Sequence, residues 1–156
     1  MSKKKASMAQ IRLATDFQDL GSLEGAQVKV PDPKNLQHFL VRIIPSRGIW
    51  ENNNFDFEFT CSDNFPFERP HVICKTRVWH PNIEETGAVC LDLLRESYTP
   101  VLSISHIIAG LQFLFDEPNP YSPLNETAAS EYLSNLNAFK IHAQEYMKKF
   151  CPQTPL

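Results

Sequence analysis

Cys90 stands in the run Trp79–Leu94, WHPNIEETGAVCLDLL, where apolar residues bracket it but neither a helical nor a strand period holds. Such a cysteine is either core filler or a positioned nucleophile. A thiol near its free pKa of about 8.5 is already a few per cent thiolate at neutral pH, and it is intrinsically nucleophilic. It can exchange acyl groups with another thioester without a full catalytic triad. Asn82 lies eight residues earlier. Its amide either donates a hydrogen to a developing oxyanion or forms an Asx-turn that shapes the loop. Pro81 biases His80 toward an extended backbone. In that tight bend His80 reads as a group hydrogen-bonded to backbone. A hydrolase would need it as an oriented base against the thiol, and no orienting partner stands nearby in the chain.

The other cysteines, Cys61, Cys74 and Cys151, fall at strand ends or in the C-terminal tail. No pair has metal-ligand spacing, and the five histidines are scattered, so no metal site is expected. The chain reads as cytosolic or nuclear, where thiols stay reduced.

The elements that must position Cys90 change period along the chain. Met8, Ile11, Leu13, Phe17 and Leu20 recur at helical spacing, with Ser7 as cap and Gly21 as stop. Residues 26–30 and 37–44 are strand-like. Residues 55–61 alternate Phe55, Phe57 and Phe59 with Asp56, Glu58 and Thr60, the pattern of a half-buried antiparallel strand. Residues 71–75 supply a fourth strand. Residues 76–103 are long, irregular and rich in turn formers, as functional loops are. A nearly all-apolar helix follows over 104–115, capped by Ser103. Two shorter helices are expected over 125–134, with Ala128, Ala129, Tyr132 and Leu133 inward, and over 136–149, with Phe139, His142, Tyr146 and Phe150 roughly on one face. The fold class is α+β: a helix, a four-stranded antiparallel meander, a long active-site loop and three helices. The tail 151–156 is expected to fray, and residues 1–7 to be a flexible basic tail on a core of 8–150.

Composition sets the outer limits. The 156 residues are 42% apolar and 21% charged, which suits one globular domain without disulfide or metal staples. A net charge of −3 gives no global attraction to nucleic acid, and no apolar run is long enough to span a membrane. Basic residues concentrate at Lys3, Lys4, Lys5 and Arg12. They form either a solvated terminus or a docking tail for an acidic partner.

The HPN-x7-C arrangement of His80–Pro81–Asn82 and Cys90, the run LDLLRESYTPVLSI after it, the FPFERP at 65–70 and the PNP at 118–120 resemble the ubiquitin-conjugating enzyme family over residues 8–150. Within it, the runs at 2–20, 32–45, 107–115 and 117–129 look most similar to the members that conjugate the Nedd-type modifier. The resemblance implies the family's core fold and a two-step acyl transfer, with no bound cofactor; ATP is spent by the upstream activating enzyme. Cys90 would take the modifier from that enzyme and yield it to a substrate lysine, as of a cullin, with a RING-type ligase assisting. Asn82 would hold the loop and stabilise the oxyanion, with His80, Pro81, Asp92, Ser122 and Leu124 forming loop and gate. Phe67, Thr99 and Pro100 match the surface that meets activating enzyme and ligase, joined by Lys3, Lys4, Lys5, Met8 and Arg12. Ala109, Gly110 and Phe113 would face the docked modifier. A monomer is expected.

Two positions depart from the family pattern. Tyr121–Ser122–Pro123–Leu124 stands where many members have Asp-Asp-Pro-Leu, so Ser122 replaces a carboxylate that orients and deprotonates the incoming lysine. A hydroxyl is a feeble base at neutral pH, so weak intrinsic activity toward free lysine is expected, unless Asp92, Glu126 or a group supplied by the ligase fills the gap. Tyr98 replaces a usual Trp and keeps an aromatic filler. With about seven residues ahead of the first helix, fewer than the resemblance implies, tail docking is expected to occur but to be weak.

Overall fold

The strand that alternates phenylalanine with polar residues decides the layers. The computed structural model describes residues 5–156; Lys3 and Lys4 lie outside the described residues. The strand β3 (Phe55–Thr60) lies between β2 (His38–Ile43) and β4 (His71–Cys74), and β1 (Ala26–Lys29) pairs with β2. All pairings are antiparallel, in the order β1-β2-β3-β4. Phe55, Phe57 and Phe59 are fully buried on one face of this sheet. Against them packs the central helix α2 (Ile104–Asp116), whose Phe115 ring stacks on Phe55 with centroids 4.7 Å apart. The helix α1 (Met8–Asp19) covers the other part of that face through Phe17, edge-on to Phe39 at 4.9 Å. Two more helices, α3 (Glu126–Ser134) and α4 (Leu136–Phe150), close the end beyond α2. The meander, long loop and helix order expected from the sequence are all present, with strand ends drawn in by one or two residues.

The predicted Ser7 and Asn125 caps are in place, while at Ser103 the capping side chain is that of His106. Ser7 accepts from the Gln10 amide and Asn125 from the Ala128 amide, and His106 Nδ1 accepts from the Ser103 amide at the start of α2. Each satisfies a donor that helix geometry leaves free.

Several inward assignments are corrected. Met8 and Ile11 are 64% and 58% exposed; Ala9, Leu13 and Asp16 hold the buried side of α1. The reason is Asp16, whose carboxylate accepts from Arg12 Nε at 3.0 Å and from the Ile104 amide at 3.2 Å. That contact rotates α1 so its polar anchor faces the start of α2. Leu133 is likewise exposed, and His142 is exposed on α4, where Phe139, Ala143 and Met147 are buried instead.

The C-terminal tail is not frayed. Cys151 is buried, Asn54 Nδ2 donates to the Pro152 carbonyl at 2.9 Å, and Arg42 Nη1 donates to the Thr154 carbonyl at 2.7 Å. Arg42 and Asp56 oppose each other in the β2–β3 register, on the sheet face away from α2, and form a two-pronged pair at 2.7 and 3.0 Å. The tail covers this pair and shields it from water.

Removing one partner of a buried ion pair leaves the other charge uncompensated. Arg42→Ala is therefore expected to lower unfolding free energy by about 3 kcal/mol, measured by denaturant titration with an unchanged slope.

Candidate active site

Residues 76–103 leave regular structure after β4 and run under the end of α2. Three backbone and side-chain contacts at His80–Pro81–Asn82 hold them there. His80 is fully buried, with Nε2 donating to the Leu114 carbonyl at 2.8 Å and Nδ1 accepting from the Asn82 amide at 2.9 Å. The Trp50 ring stacks on it at 4.6 Å. Burial pushes its pKa down to about 4, so it stays neutral. With both ring nitrogens committed, His80 is a structural strut, as the sequence indicated. The Pro81 carbonyl accepts from both the Leu124 and Asn125 amides at 3.0 Å. This fixes the chain between α2 and α3 against the loop.

The Asn82 side chain completes the staple. Its Oδ1 accepts from the Asn119 amide at 2.9 Å, and its Nδ2 donates to the Asn119 carbonyl at 2.8 Å and the Ser122 carbonyl at 3.3 Å. Asn82 is buried, and its whole amide is spent on the 119–122 segment. Of the two roles open in the sequence, the geometry displays the loop-shaping one, with partners 37 and 40 residues away rather than in a local Asx-turn. The Asn82 carbonyl in turn accepts from the Cys90 amide at 2.8 Å, so one residue ties the 119–122 segment to Cys90.

Between Asn82 and Cys90 the chain makes a tight turn. Gly87 has φ +103°, and a Cβ there would lie 2.6 Å from the Cys74 carbonyl oxygen. Only glycine fits that approach, which lets the Gly87 carbonyl accept from the Cys74 amide at 2.8 Å and hang the loop on β4.

Cys90 is half-buried and borders an open groove of about 520 Å³ with Asn82, Asp92, Ala109, Phe113, Glu117 and Ser122. The other three cysteines are buried, and burial raises each of their pKa values to about 12. Arg95 Nη1 donates to Cys90 Sγ at 3.3 Å. The sequence reading missed Arg95; a cation five residues past the thiol was the available signal. The one-turn 3-10 helix Asp92–Leu94 makes the bend between them.

The gate and docking residues separate into distinct jobs. Ser122 and Asp92 are exposed at the groove, whereas Leu124 is half-buried and outside its lining. Glu126 lies elsewhere, beside Ser130 and Ser134. The second carboxylate at the groove is Glu117, which the sequence reading missed. Ala109 and Phe113 are exposed along α2. Gly110 serves packing: a Cβ there would lie 2.9 Å from Leu93 Cδ1 and 3.2 Å from Leu91 Cδ2. Its bare backbone lets the residues just after Cys90 seat on α2.

Two loops meet on one side of this site. Phe67 is 71% exposed and Val101 83%, flanking Thr99 and Pro100. The Tyr98 hydroxyl donates to the Pro66 carbonyl and joins the loops. Arg12 adds α1 by donating from Nη2 to the Leu102 carbonyl at 3.1 Å. Arg12 is thus occupied within the molecule, while Lys5 and Met8 are exposed.

The family model described as ubiquitin-conjugating enzyme matches residues 12–147. The chain belongs to that family. It is 42% identical over 149 residues to the Nedd8-conjugating enzyme UbcE2M of Drosophila melanogaster, covering 96% of this chain and 82% of that one. It is 41% identical over 147 residues to the NEDD8-conjugating enzyme Ubc12 of Arabidopsis thaliana, covering 94% and 80%. The solved structure of S. cerevisiae Ubc12 superposes with a TM-score of 0.83 at 33% identity, over 90% of this chain and 80% of that one. As a member of the ubiquitin-conjugating enzyme family, the chain is a modifier-conjugating acyl transferase that works through a cysteine thioester.

A thiol with a pKa near 12 is almost wholly protonated at neutral pH and reacts slowly. Brief iodoacetamide treatment of the native protein at about pH 7 is expected to modify Cys90 alone, read by peptide mass mapping. Unfolding should expose all four cysteines equally.

Proposed function

We propose that this enzyme conjugates a Nedd-type ubiquitin-like modifier through Cys90. The observation that carries the assignment is the placement of Cys90: its sulfur borders the α2 groove and receives the Arg95 N–H, while the other cysteines are buried. The identity of the modifier rests on the relatives named as NEDD8-conjugating enzymes.

The reaction proceeds in two acyl transfers. The Cys90 thiolate attacks the thioester that joins the modifier's C-terminal carbonyl to a cysteine of the activating enzyme. The new carbon–sulfur bond forms as the activating enzyme's thiolate leaves and is reprotonated. A neutral lysine amine of the acceptor then attacks the Cys90 thioester. An amide forms, Cys90 leaves as thiolate, and the amine's proton passes to a base. Negative charge gathers on the carbonyl oxygen in both steps. Asn82 serves catalysis chiefly by holding the 119–122 segment beside the thioester.

The lysine ammonium must be gathered before it loses its proton. Ser122 has no charge for this, and Asp92 and Glu117 are the carboxylates on the same groove. The exposed Phe67 and Val101, with Thr99 and the half-buried Pro100 between them, form an apolar anchor of the kind that dominates interface energetics. This surface takes the activating enzyme and then a RING-type ligase, with cullin-type proteins as substrates. Lys3, Lys4 and Lys5 lie ahead of α1 and steer the charging encounter toward an acidic surface of the activating enzyme.

Charging reactions with the Nedd-type modifier and with ubiquitin, each with its own activating enzyme, test the assignment. A reducible adduct is expected with the Nedd-type modifier and little with ubiquitin. Cys90→Ser is expected to give at most an oxyester that survives thiol reductant. Efficient charging by ubiquitin instead would make this an ordinary ubiquitin-conjugating enzyme.

A further inference from the structure

A second groove is lined by Arg95, the residue whose guanidinium reaches Cys90 Sγ. It has a volume of about 660 Å³ and is bordered by Phe67, Arg69, Val89, Leu94, Arg95 and Tyr98. The two grooves differ in charge. The α2 groove carries Asp92 and Glu117, and the second carries Arg69 and Arg95. Glu68 and His71 also border the second groove; Glu68 keeps its negative charge while accepting from Ser62 Oγ at 3.0 Å, so the two guanidiniums leave the groove net positive. Among the described residues, no ion pair or hydrogen bond engages the Arg69 guanidinium, and that of Arg95 reaches only the thiol sulfur. Exposed guanidiniums without a carboxylate partner suit two-pronged recognition of an incoming carboxylate.

We infer that this second groove binds the acceptor polypeptide through acidic residues flanking its target lysine, with Arg69 and Arg95 as the receiving cations. The inference rests on Cys90 being the thioester site. In a charged enzyme the α2 groove is taken up by the modifier's end and by the lysine at the gate. The acceptor's flanking chain then has the groove lined by Arg95. The charges fit that path: the lysine ammonium meets Asp92 and Glu117, and carboxylates on either side of the lysine meet Arg69 and Arg95. An acceptor with neutral flanks would gain nothing from the basic side. Arg69 acts as a specificity residue, without contact to the reacting atoms.

The test is single-turnover discharge of preformed Cys90 thioester, without ligase, to two synthetic peptides. One has its lysine between glutamates and the other between glutamines. The charged enzyme is made with whichever modifier loads it, so failure of modifier specificity leaves this test intact. Failure to form any Cys90 adduct would instead show at the loading step. The acidic peptide is expected to react about fivefold faster at low salt, and the preference should fade as salt screens the pair. Arg69→Ala should cut the acidic peptide's advantage to the share that Arg95 supplies while discharge to free lysine stays unchanged; Arg69→Lys should retain more of it. Equal rates for the two peptides with the parent enzyme would overturn the inference. So would a preference undiminished in Arg69→Ala, or an equal loss toward free lysine, which would make Arg69 structural.

Discussion

Everything at this site depends on a buried tripeptide doing the work of a crossbar. His80 reaches the Leu114 carbonyl of α2, the Pro81 carbonyl receives the Leu124 and Asn125 amides, and the Asn82 side chain receives and donates across to Asn119 and Ser122. These contacts join stretches of chain some 34 to 44 residues apart in sequence. Without them the long loop would have no reason to lie beside the segment that leaves α2. Because the groups are buried, each hydrogen bond left unmade would carry the full desolvation cost of its polar atoms. That asymmetry gives the irregular segment one conformation.

Chemistry follows from that single conformation. The Asn82 carbonyl takes the Cys90 amide, so Cys90 and the 119–122 segment are referenced to the same residue. Gly110 permits Leu91 and Leu93 to close on α2, which fixes the chain on the other side of the thiol. Between these supports the sulfur lies half-buried, with a cation at Arg95 and carboxylates at Asp92 and Glu117 on the groove. A family whose members differ in partner but share the acyl transfer needs this part rigid. The loops around Phe67 and Pro100 stand apart from it, tied together by the Tyr98 hydroxyl.

The sequence made the sheet legible because a half-buried antiparallel strand writes its two faces directly into alternate residues, as at Phe55–Thr60. Helix starts were legible because Ser7 and Asn125 are local caps. Cys90 and Asn82 stood out through the HPN-x7-C spacing. What stayed hidden was set by distant partners. Met8 and Ile11 look like core at helical spacing, but the Asp16 contact to Ile104 turns them outward. The tail looked frayed by composition, yet Arg42 holds it through Thr154, 112 residues away. The Arg95 contact to the thiol depends on the bend at Asp92–Leu94, which no periodic pattern announces.

The central claim is that Asn82 promotes transfer by holding the gate segment in place. The direct measurement pairs amide hydrogen exchange at Asn119 with single-turnover discharge of the thioester to lysine, in parent and Asn82→Ala enzymes. Faster exchange at Asn119 is expected together with near-normal charging and discharge slowed about 100-fold. Slow discharge with Asn119 exchange unchanged would contradict the claim, because the Asn82 amide would then act on the oxyanion without being needed to hold the gate.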